Sequence, residues 1–506
     1  MLLPVGWPSG HHGALKDALQ LGDLLFGNRL KTSFPPTNYL TMLALAFNSQ
    51  PEIDGRSDLT RSDTVGGFGL CLFFLFFQLN ATVAYAGLSL TVLVFAFQAK
   101  TWTPVLERDP VAVLFLLSVI YLPFYSIWAM LEFPESADAQ RTAVLIWLHW
   151  LLFIPVGWQL FRHIKHINLF LPILATGLLI RILVNLNWAD LGNILTLERT
   201  GFGMAETVFS PIVGSMVLGF LMLAPRMIIQ QPNTPRWFGL LKISACFIYL
   251  AVFLESLVLS QTRGAWLAAA LVFPVALLVR YKSWLGKHKL FSGKSIVVLM
   301  LLVAMVGLFL HKNYETIFKR VNSEQVNSVP EVVKKQWEGQ EVLMTTSVGY
   351  RKILWGIGWR KWQERPFFGW GPGSTELLLK KENNPILSQS VTLNDGSIET
   401  LHISHLHNLY LEFMVRFGIV GTLLLLALPV VLMVKVWEAQ TKGRIPWDYA
   451  CFLFAGWAFL AIMVLFDFQL FKFAWRNYCL IWAALTYAVQ LENLSLRNQR
   501  LMNSDF

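Results

Sequence analysis

The chain has 506 residues, of which 55% are hydrophobic and only 14% are charged. Soluble globular proteins carry about 25% charged residues, so this composition argues against a soluble enzyme, a nucleic-acid-binding protein and a disordered chain. The apolar residues are gathered into many runs of membrane-spanning length. The sequence therefore predicts an all-α polytopic membrane protein, in which the net charge of +10 reflects basic cytoplasmic loops.

The apolar runs predict about twelve transmembrane helices. The run over residues 64–98 is long for one helix and short for two, and Asn80 near its midpoint favours a hairpin of two helices. The predicted spans lie at about residues 66–79, 81–98, 111–131, 142–161, 168–187, 205–224, 239–260, 265–279, 295–311, 418–434, 449–466 and 477–490.

The distribution of Lys and Arg predicts which loops face the cytoplasm. One alternate set of loops carries 14 of these residues and the opposite set carries five. Short loops rich in Lys and Arg stay in the cytoplasm, so the first set is predicted to lie inside. The inside set is 99–110, 162–167, 225–238, 280–294 and 435–447, and the outside set is 132–141, 188–204, 261–264 and 467–476.

The longest inter-helix segment, residues 312–404, lies between spans nine and ten. This assignment of the loops predicts that the segment is periplasmic. A loop of this length is usually a functional lid or a small domain. The predicted organisation is a polar and cytoplasmic N-terminal extension over 1–64, spans one to nine over 65–311, the loop over 312–404, spans ten to twelve over 405–490, and a cytoplasmic tail over 491–506.

Several polar residues lie at the outer ends of spans or in the outer loops, where such residues are functional candidates. Arg263 lies in the short turn Ser-Gln-Thr-Arg-Gly, Arg181 lies inside a span, and Arg351 begins the stretch RKILWGIGWRKW. Each has a structural alternative: a helix cap for Arg263, an ion pair with Glu206 or Glu255 for Arg181, and an amphipathic interfacial helix for residues 351–362.

The outer loops contain no Asp-x-Asp pair, no His/Cys ligand spacing and no Gly-rich phosphate loop. The four cysteines all lie in apolar runs and indicate neither disulfides nor a zinc site. We therefore expect no metal and no cofactor. Arginine would supply the positive charge if a phosphorylated substrate is bound, because guanidinium binds phosphate oxygens in a bidentate fork.

Three motifs resemble one known family. His407 and Asn408 are followed by nine residues, Gly418, two residues and Gly421. The turn SQTRGAW over 260–266 and the stretch from Arg351 through ERPFFGWGPGS precede this motif in the chain. Together with twelve predicted spans and a late periplasmic loop, these motifs resemble the O-antigen ligase family, whose members include O-antigen polymerases and protein O-oligosaccharyltransferases.

The resemblance implies a metal-independent membrane glycosyltransferase of the GT-C kind in the bacterial inner membrane. Such enzymes move a glycan from undecaprenyl diphosphate to an acceptor, here lipid A–core or another lipid-linked glycan, at the periplasmic face. By motif match, His407 is the catalytic histidine and Arg263 and Arg351 bind the diphosphate. Arg181 is a further candidate for diphosphate binding. The possible supporting residues are His405, Asn408, Glu255 and Glu412.

The sequence separates the members of this family poorly. A ligase, a polysaccharide polymerase and a protein-directed transferase share the motifs, and all three remain open. A glycolipid flippase would instead place charged residues near the bilayer midplane in two matching halves. Here the polar residues lie at the outer ends, which favours an enzyme with lipid and glycan partners and no nucleic acid.

Overall fold

The computed structural model describes residues 60–107, 109–163, 167–186, 188, 199–228, 236–287, 313–314, 333–337, 340–344, 347–382, 384, 387–392 and 398–504. Most of the predicted N-terminal extension and the whole predicted ninth span over 295–311 lie outside these residues. All the other predicted spans coincide with helices.

Fifteen α-helices are present in the described part of the chain. They are α1 (Arg61–Phe76), α2 (Ala81–Phe97), α3 (Ala99–Leu106), α4 (Pro110–Glu132), α5 (Ala137–His149), α6 (Phe153–Arg162), α7 (Ile167–Val184), α8 (Glu206–Ile228), α9 (Arg236–Leu259), α10 (Arg263–Lys287), α11 (Ser347–Glu364), α12 (Thr375–Lys381), α13 (Leu409–Thr441), α14 (Trp447–Met463) and α15 (Phe473–Ser504).

Six helical segments of the described residues are long and apolar enough to cross a membrane. A seventh span is added if α2 and α3, which meet at an angle of 79°, are taken as one. The six are Pro110–Glu132, Pro134–Arg162, Glu206–Arg226, Gly239–Leu259, Arg263–Tyr281 and Leu409–Thr441. The protein is therefore a multi-pass, predominantly helical membrane protein, as predicted.

The apolar run over 64–98 forms the predicted hairpin of two helices. The side chain of Asn80 accepts a hydrogen bond of 3.1 Å from the backbone N–H of Val83 and so caps α2. The two helices approach so closely that a Cβ at Gly69 would lie only 2.8 Å from the carbonyl oxygen of Gly87. Glycine at this crossing therefore permits the pairing of α1 and α2.

Contacts at one end of the bundle join the loops that carry many Lys and Arg residues. Arg162, at the end of α6, forms an ion pair of 2.8 Å with Asp63 near the start of α1. Arg280 in α10 lies 3.9 Å from Asp448 in α14. These contacts agree with the grouping that the charge count predicts.

Contacts at the opposite end join the loops that carry few basic residues. The hydroxyl of Thr262 donates to the carbonyl oxygen of Glu206 at 3.3 Å. The amide of Gln140 donates to the carbonyl oxygen of Trp370 at 3.2 Å. Residues 261–264 therefore lie beside the start of α8, and residues 132–141 lie beside the long loop.

The described part of the long loop contains helices and two short antiparallel strand pairs. Strand β1 (Val333–Trp337) pairs with β2 (Gln340–Met344), and β3 (Ser388–Thr392) pairs with β4 (Ile398–His402). Helices α11 and α12 share a small apolar core with the start of α13, which includes Leu354, Leu379 and Val415. This core fixes the loop to the membrane-spanning part.

The stretch over 366–371 crosses α13 at Gly418. The backbone N–H of Ile419 donates to the carbonyl oxygen of Pro366 at 2.8 Å, and that of Trp370 donates to the carbonyl oxygen of Val415 at 2.9 Å. Gly418 has a φ of +58°, and a Cβ there would lie 2.2 Å from the carbonyl oxygen of Phe367. Glycine is needed at this position both for the left-handed backbone and for the close approach. Two of the sequence motifs therefore pack directly against each other.

Candidate active site

A cavity of about 490 Å³ lies at the end of the bundle that carries the long loop. The first residues of α8, α10 and α11 meet there with the segments that precede α13 and follow α14. Three residues that the sequence analysis selected line it together: Arg263, Arg351 and His407. The other lining residues are Arg199, Thr207, Gln261, Thr262, Gly264, Leu267, Val348, Tyr350, Met463, Phe466 and Asp467.

Arg263 is the first residue of α10 and follows a tight turn between α9 and α10. The turn requires a left-handed backbone at Gln261, whose φ is +46°. Thr262 is buried, and its hydroxyl donates to the carbonyl oxygens of Glu206 and Ser260. The turn is therefore held in place by α8, and it presents Arg263 to the cavity.

Arg351 is the fifth residue of α11, which belongs to the long loop. Its Nε donates a hydrogen bond of 3.1 Å to the carbonyl oxygen of Phe466, in the segment that follows α14. This contact connects the long loop to the segment that also carries Asp467. The two predicted diphosphate-binding arginines thus reach one cavity from sequence positions 88 residues apart.

His407 lies immediately before α13 and its backbone adopts the left-handed region, with a φ of +53°. The next residue, Asn408, caps α13 by accepting a hydrogen bond of 3.0 Å from the N–H of Leu411. The presence of Asn408 in the motif is therefore explained by its structural role, because it caps the start of α13. The cap and the left-handed residue together place the imidazole in the cavity.

A buried carboxylate orients the imidazole. The Nδ1 atom of His407 lies 3.0 Å from Oδ1 of Asp467, whose side chain is only 6% exposed. Because a carboxylate accepts hydrogen bonds, it holds the proton of the neutral ring on Nδ1 and leaves Nε2 as the base.

Burial alone would raise the pKa of Asp467, but the hydrogen bond from His407 and the positive charge that this ring can carry lower it to about 2. The N–H of Phe468 also donates to its Oδ1 at 2.8 Å. Asp467 is therefore ionised throughout the neutral range. Its role is not recognisable from the sequence, because a single Asp beside a span has no characteristic spacing to His407.

His405 packs against His407 with their ring centroids 4.2 Å apart and nearly perpendicular. Burial, followed by the proximity of His407, lowers the pKa of His405 to about 4. Its ring is therefore neutral at pH 7. Among the described residues its buried Nδ1 has no hydrogen-bond partner. His405 is not one of the residues that line the cavity, so its contribution is to pack against His407.

Glu412 holds the backbone that leads into His407. Its Oε2 accepts a hydrogen bond of 2.9 Å from the N–H of Leu406, and its Oε1 accepts one of 2.6 Å from Nε of Arg416. Both side chains are fully buried, and Arg416 also donates to the carbonyl oxygen of Pro372. Glu412 thus fixes the backbone next to His407. Arg416, which the sequence did not indicate as a site residue, connects Glu412 to the long loop.

Two of the predicted residues lie away from the cavity. The guanidinium of Arg181 donates to the carbonyl oxygen of Gln78 in the turn between α1 and α2. Glu255 in α9 accepts a hydrogen bond of 3.4 Å from Asn313. Neither residue is among those that line the cavity. A third arginine does line it: Arg199, just before α8.

Three side chains at the site are of the types that commonly bind metal ions. Ligand atoms of His405, His407 and Asp467 all lie within 4.8 Å of one another. However, Oδ1 of Asp467 already accepts hydrogen bonds from His407, the N–H of Phe468 and Gln469. A metal ion would have to replace these bonds, so the arrangement fits a hydrogen-bonded His–Asp pair better than a metal centre.

Residues 245–426 match the family model described as O-antigen ligase. The match assigns this segment to the O-antigen ligase family. It covers Arg263, Arg351 and His407 and confirms the resemblance that the three motifs predicted. Asp467 lies beyond its end, although it contacts His407 in the structure.

An uncharacterized protein of Haemophilus influenzae is 26% identical to this chain over 187 residues. The similar region covers 36% of this chain and 41% of that protein. The chain thus matches less than half the length of this curated relative, whose printed name describes no activity.

Proposed function

We propose that the protein is a glycosyltransferase that moves a glycan from undecaprenyl diphosphate to lipid A–core at the periplasmic face of the inner membrane. The observation that carries this proposal is a single cavity that contains a His–Asp pair and the guanidiniums of Arg263 and Arg351. An acceptor hydroxyl needs a base, and a diphosphate leaving group needs positive charge. The family match supports the same chemistry.

In the proposed reaction, the acceptor hydroxyl oxygen attacks the anomeric carbon of the donor glycan. The bond between this carbon and the phosphate oxygen breaks, and its electron pair stays on the departing undecaprenyl diphosphate. The hydroxyl proton passes to Nε2 of His407. The imidazolium that forms is stabilised by Asp467 at 3.0 Å, which fixes the ring in the correct orientation.

The arginines would act on the leaving group. Guanidinium remains charged at all relevant pH values and its planar fork matches the oxygens of a phosphate. A donor charge that is aimed at the leaving oxygen before the reaction costs no reorganisation during it. Arg263 and Arg351 would therefore bind the donor and stabilise the diphosphate as it leaves, without a metal ion.

Direct displacement inverts the configuration of the anomeric carbon. A covalent intermediate would need a nucleophilic carboxylate in the cavity. Among the described residues that line it, the carboxylate is Asp467, which is buried and bonded to His407. The oxygens of Glu412 are occupied by Leu406 and Arg416. The site therefore supports an inverting transfer.

The experiment that tests the proposal compares His407→Ala with His405→Ala. Purified proteins are incubated with a lipid-linked repeat unit and either lipid A–core or a second lipid-linked unit. We expect His407→Ala to bind the donor but to lose a factor of about 10² to 10⁴ in transfer rate, the usual contribution of a general base. His405→Ala should retain more activity, because its ring does not line the cavity.

The product identifies the acceptor. Glycan on lipid A–core supports a ligase, whereas longer chains on the undecaprenyl carrier would show a polymerase and overturn the choice of acceptor. Wild-type transfer rates in His407→Ala would contradict the proposed base. Transfer in detergent, where no membrane barrier exists, would also exclude transport as the main activity.

A separate experiment tests the side of the membrane. Gly356 in α11 is exposed and a Cβ there meets nothing within 4 Å, while Thr441 lies exposed at the far end of α13. Each is replaced by Cys in a chain whose four native cysteines have been replaced. Gly356→Cys should react with an impermeant maleimide in cells with a permeabilised outer membrane, and Thr441→Cys only after lysis. The reverse pattern would refute the periplasmic placement.

A further inference from the structure

Arg199 is an arginine of the cavity that none of the three motifs contains. It lies before α8, and its Nε donates a hydrogen bond of 3.2 Å to the carbonyl oxygen of Ser260. Ser260 begins the turn that presents Arg263, so the two arginines are attached to the same short turn. Both line the cavity together with Arg351.

Arg199 forms an ion pair with Glu206 that is weak enough for an anionic ligand to displace the carboxylate. Nη2 of Arg199 lies 3.7 Å from Oε2 of Glu206, and the two side chains are 36% and 30% exposed. Ion pairs of this length between side chains that are about one-third exposed contribute only about 0–1 kcal/mol. A bidentate bond between guanidinium and a phosphate is considerably stronger. Glu206 therefore partly neutralises Arg199 without holding it firmly.

The charges of substrate and product differ in a way that a third arginine would match. The diphosphate of a lipid-linked glycan is esterified at both ends and carries two negative charges. When the bond to the sugar breaks, the terminal phosphate becomes a monoester with a second pKa of about 6. The diphosphate then carries about three charges at neutral pH. Two arginines match the two charges of the donor, and a third would match the additional charge of the leaving group.

We propose that Arg199 exchanges Glu206 for the departing diphosphate and so stabilises the charge that develops as the glycosidic bond breaks. This proposal rests on the proposed function and adds a residue with a distinct part in it. Arg199 would discriminate the product diphosphate from the donor, whereas Arg263 and Arg351 would bind both.

The test measures binding of two ligands to the purified protein in detergent: undecaprenyl diphosphate and an undecaprenyl-diphosphate-linked disaccharide. We expect Arg199→Ala to weaken binding of undecaprenyl diphosphate about tenfold, which is the size of one charge-assisted hydrogen bond. Binding of the linked disaccharide should change by less than about threefold. Arg199→Lys, which keeps the charge but loses the fork, should show a smaller loss with the same preference.

Two control variants separate this role from a structural one. Arg360 forms an exposed ion pair of 2.9 Å with Glu382 outside the cavity, so Arg360→Ala should bind both ligands like the wild type. Glu206→Gln removes the competing carboxylate and should bind undecaprenyl diphosphate at least as tightly as the wild type. If the Arg199–Glu206 pair only stabilised the fold, Glu206→Gln would instead weaken binding as Arg199→Ala does.

The outcomes distinguish this proposal from the proposed function. Equal losses for both ligands, or no loss, in Arg199→Ala would overturn the role of Arg199 while the transferase remains supported by binding to the wild type. Failure of the wild type to bind either ligand would overturn the proposed function, and the role of Arg199 with it.

Discussion

Asp467→Asn tests the His–Asp pair with little change of shape. The substitution removes the charge that lies 3.0 Å from Nδ1 of His407. The amide oxygen can still accept from the N–H of Phe468, which donates to Asp467 at 2.8 Å. The local backbone should therefore be preserved, and the effect should fall on the imidazole. Asparagine can also turn its NH₂ toward Nδ1, which would favour the tautomer that lacks a free base at Nε2.

The magnitude follows from two related quantities. Hydrogen bonds to charged groups contribute about 1.5–3 kcal/mol. Burial raises the pKa of Asp467, but His407, with smaller contributions from His405 and the N–H of Phe468, lowers it from 3.8 to about 2. A shift of this size is worth roughly 2–3 kcal/mol. Since about 1.4 kcal/mol corresponds to a factor of ten in rate, we expect kcat to fall about 10- to 150-fold.

The assay is transfer of a lipid-linked glycan by purified protein, with kcat and KM determined separately. KM for the donor should change little, because in the proposed reaction Asp467 acts through His407 and Arg263 and Arg351 bind the donor. Gln469→Ala is the matched control, since Gln469 also donates to Oδ1 of Asp467, at 3.1 Å, but has no hydrogen bond to His407. A wild-type kcat in Asp467→Asn, or a loss confined to KM, would refute the positioning role.

Three further predictions concern the same cavity. Replacing Arg263 or Arg351 by Lys keeps the charge but loses the fork, so transfer should fall sharply in a protein that still folds; near-normal transfer would make these arginines structural. Exhaustive treatment with EDTA should leave transfer unchanged, whereas loss of activity that Mg²⁺ or Zn²⁺ restores would favour a metal ion at His405, His407 and Asp467. Because folding lowers the pKa of His405 from 6.5 to about 4, the unfolded state binds more protons between these pH values and stability should fall as the pH drops through this window. His405→Gln should lose less Tm than the wild type between pH 7 and pH 5, and equal losses would contradict the assignment.

The motifs were recognisable from the sequence because each has a local cause. Asn408 follows His407 because it caps α13, and Gly418 lies eleven residues after His407 because the long loop crosses the helix there. The SQTRGAW turn needs a left-handed residue and a buried hydroxyl. Such requirements act over a few residues, so they leave a fixed spacing in the chain.

Asp467, Arg416 and Arg199 left no such pattern. Asp467 reaches His407 across 60 residues, through a contact between the segment after α14 and the start of α13. Arg199 reaches the cavity only because its Nε bonds to the turn at Ser260, 61 residues away. Conversely, Arg181 is a charged residue within a predicted span, as a functional residue would be, but its hydrogen bond goes to the turn between α1 and α2. Position along a span does not specify which helix a side chain faces.

The sequence by itself determined the membrane class, the position of helices at the predicted spans that fall within the described residues, and three cavity-lining residues. These follow from local properties: the length of apolar runs, which the bilayer imposes, and motif spacings, which turns and caps impose. The tertiary structure alone decided that Arg263, Arg351 and His407 share one cavity with Arg199 and that a buried Asp467 orients the histidine. Those relations depend on which helix ends meet, and this is determined by the packing of the whole bundle.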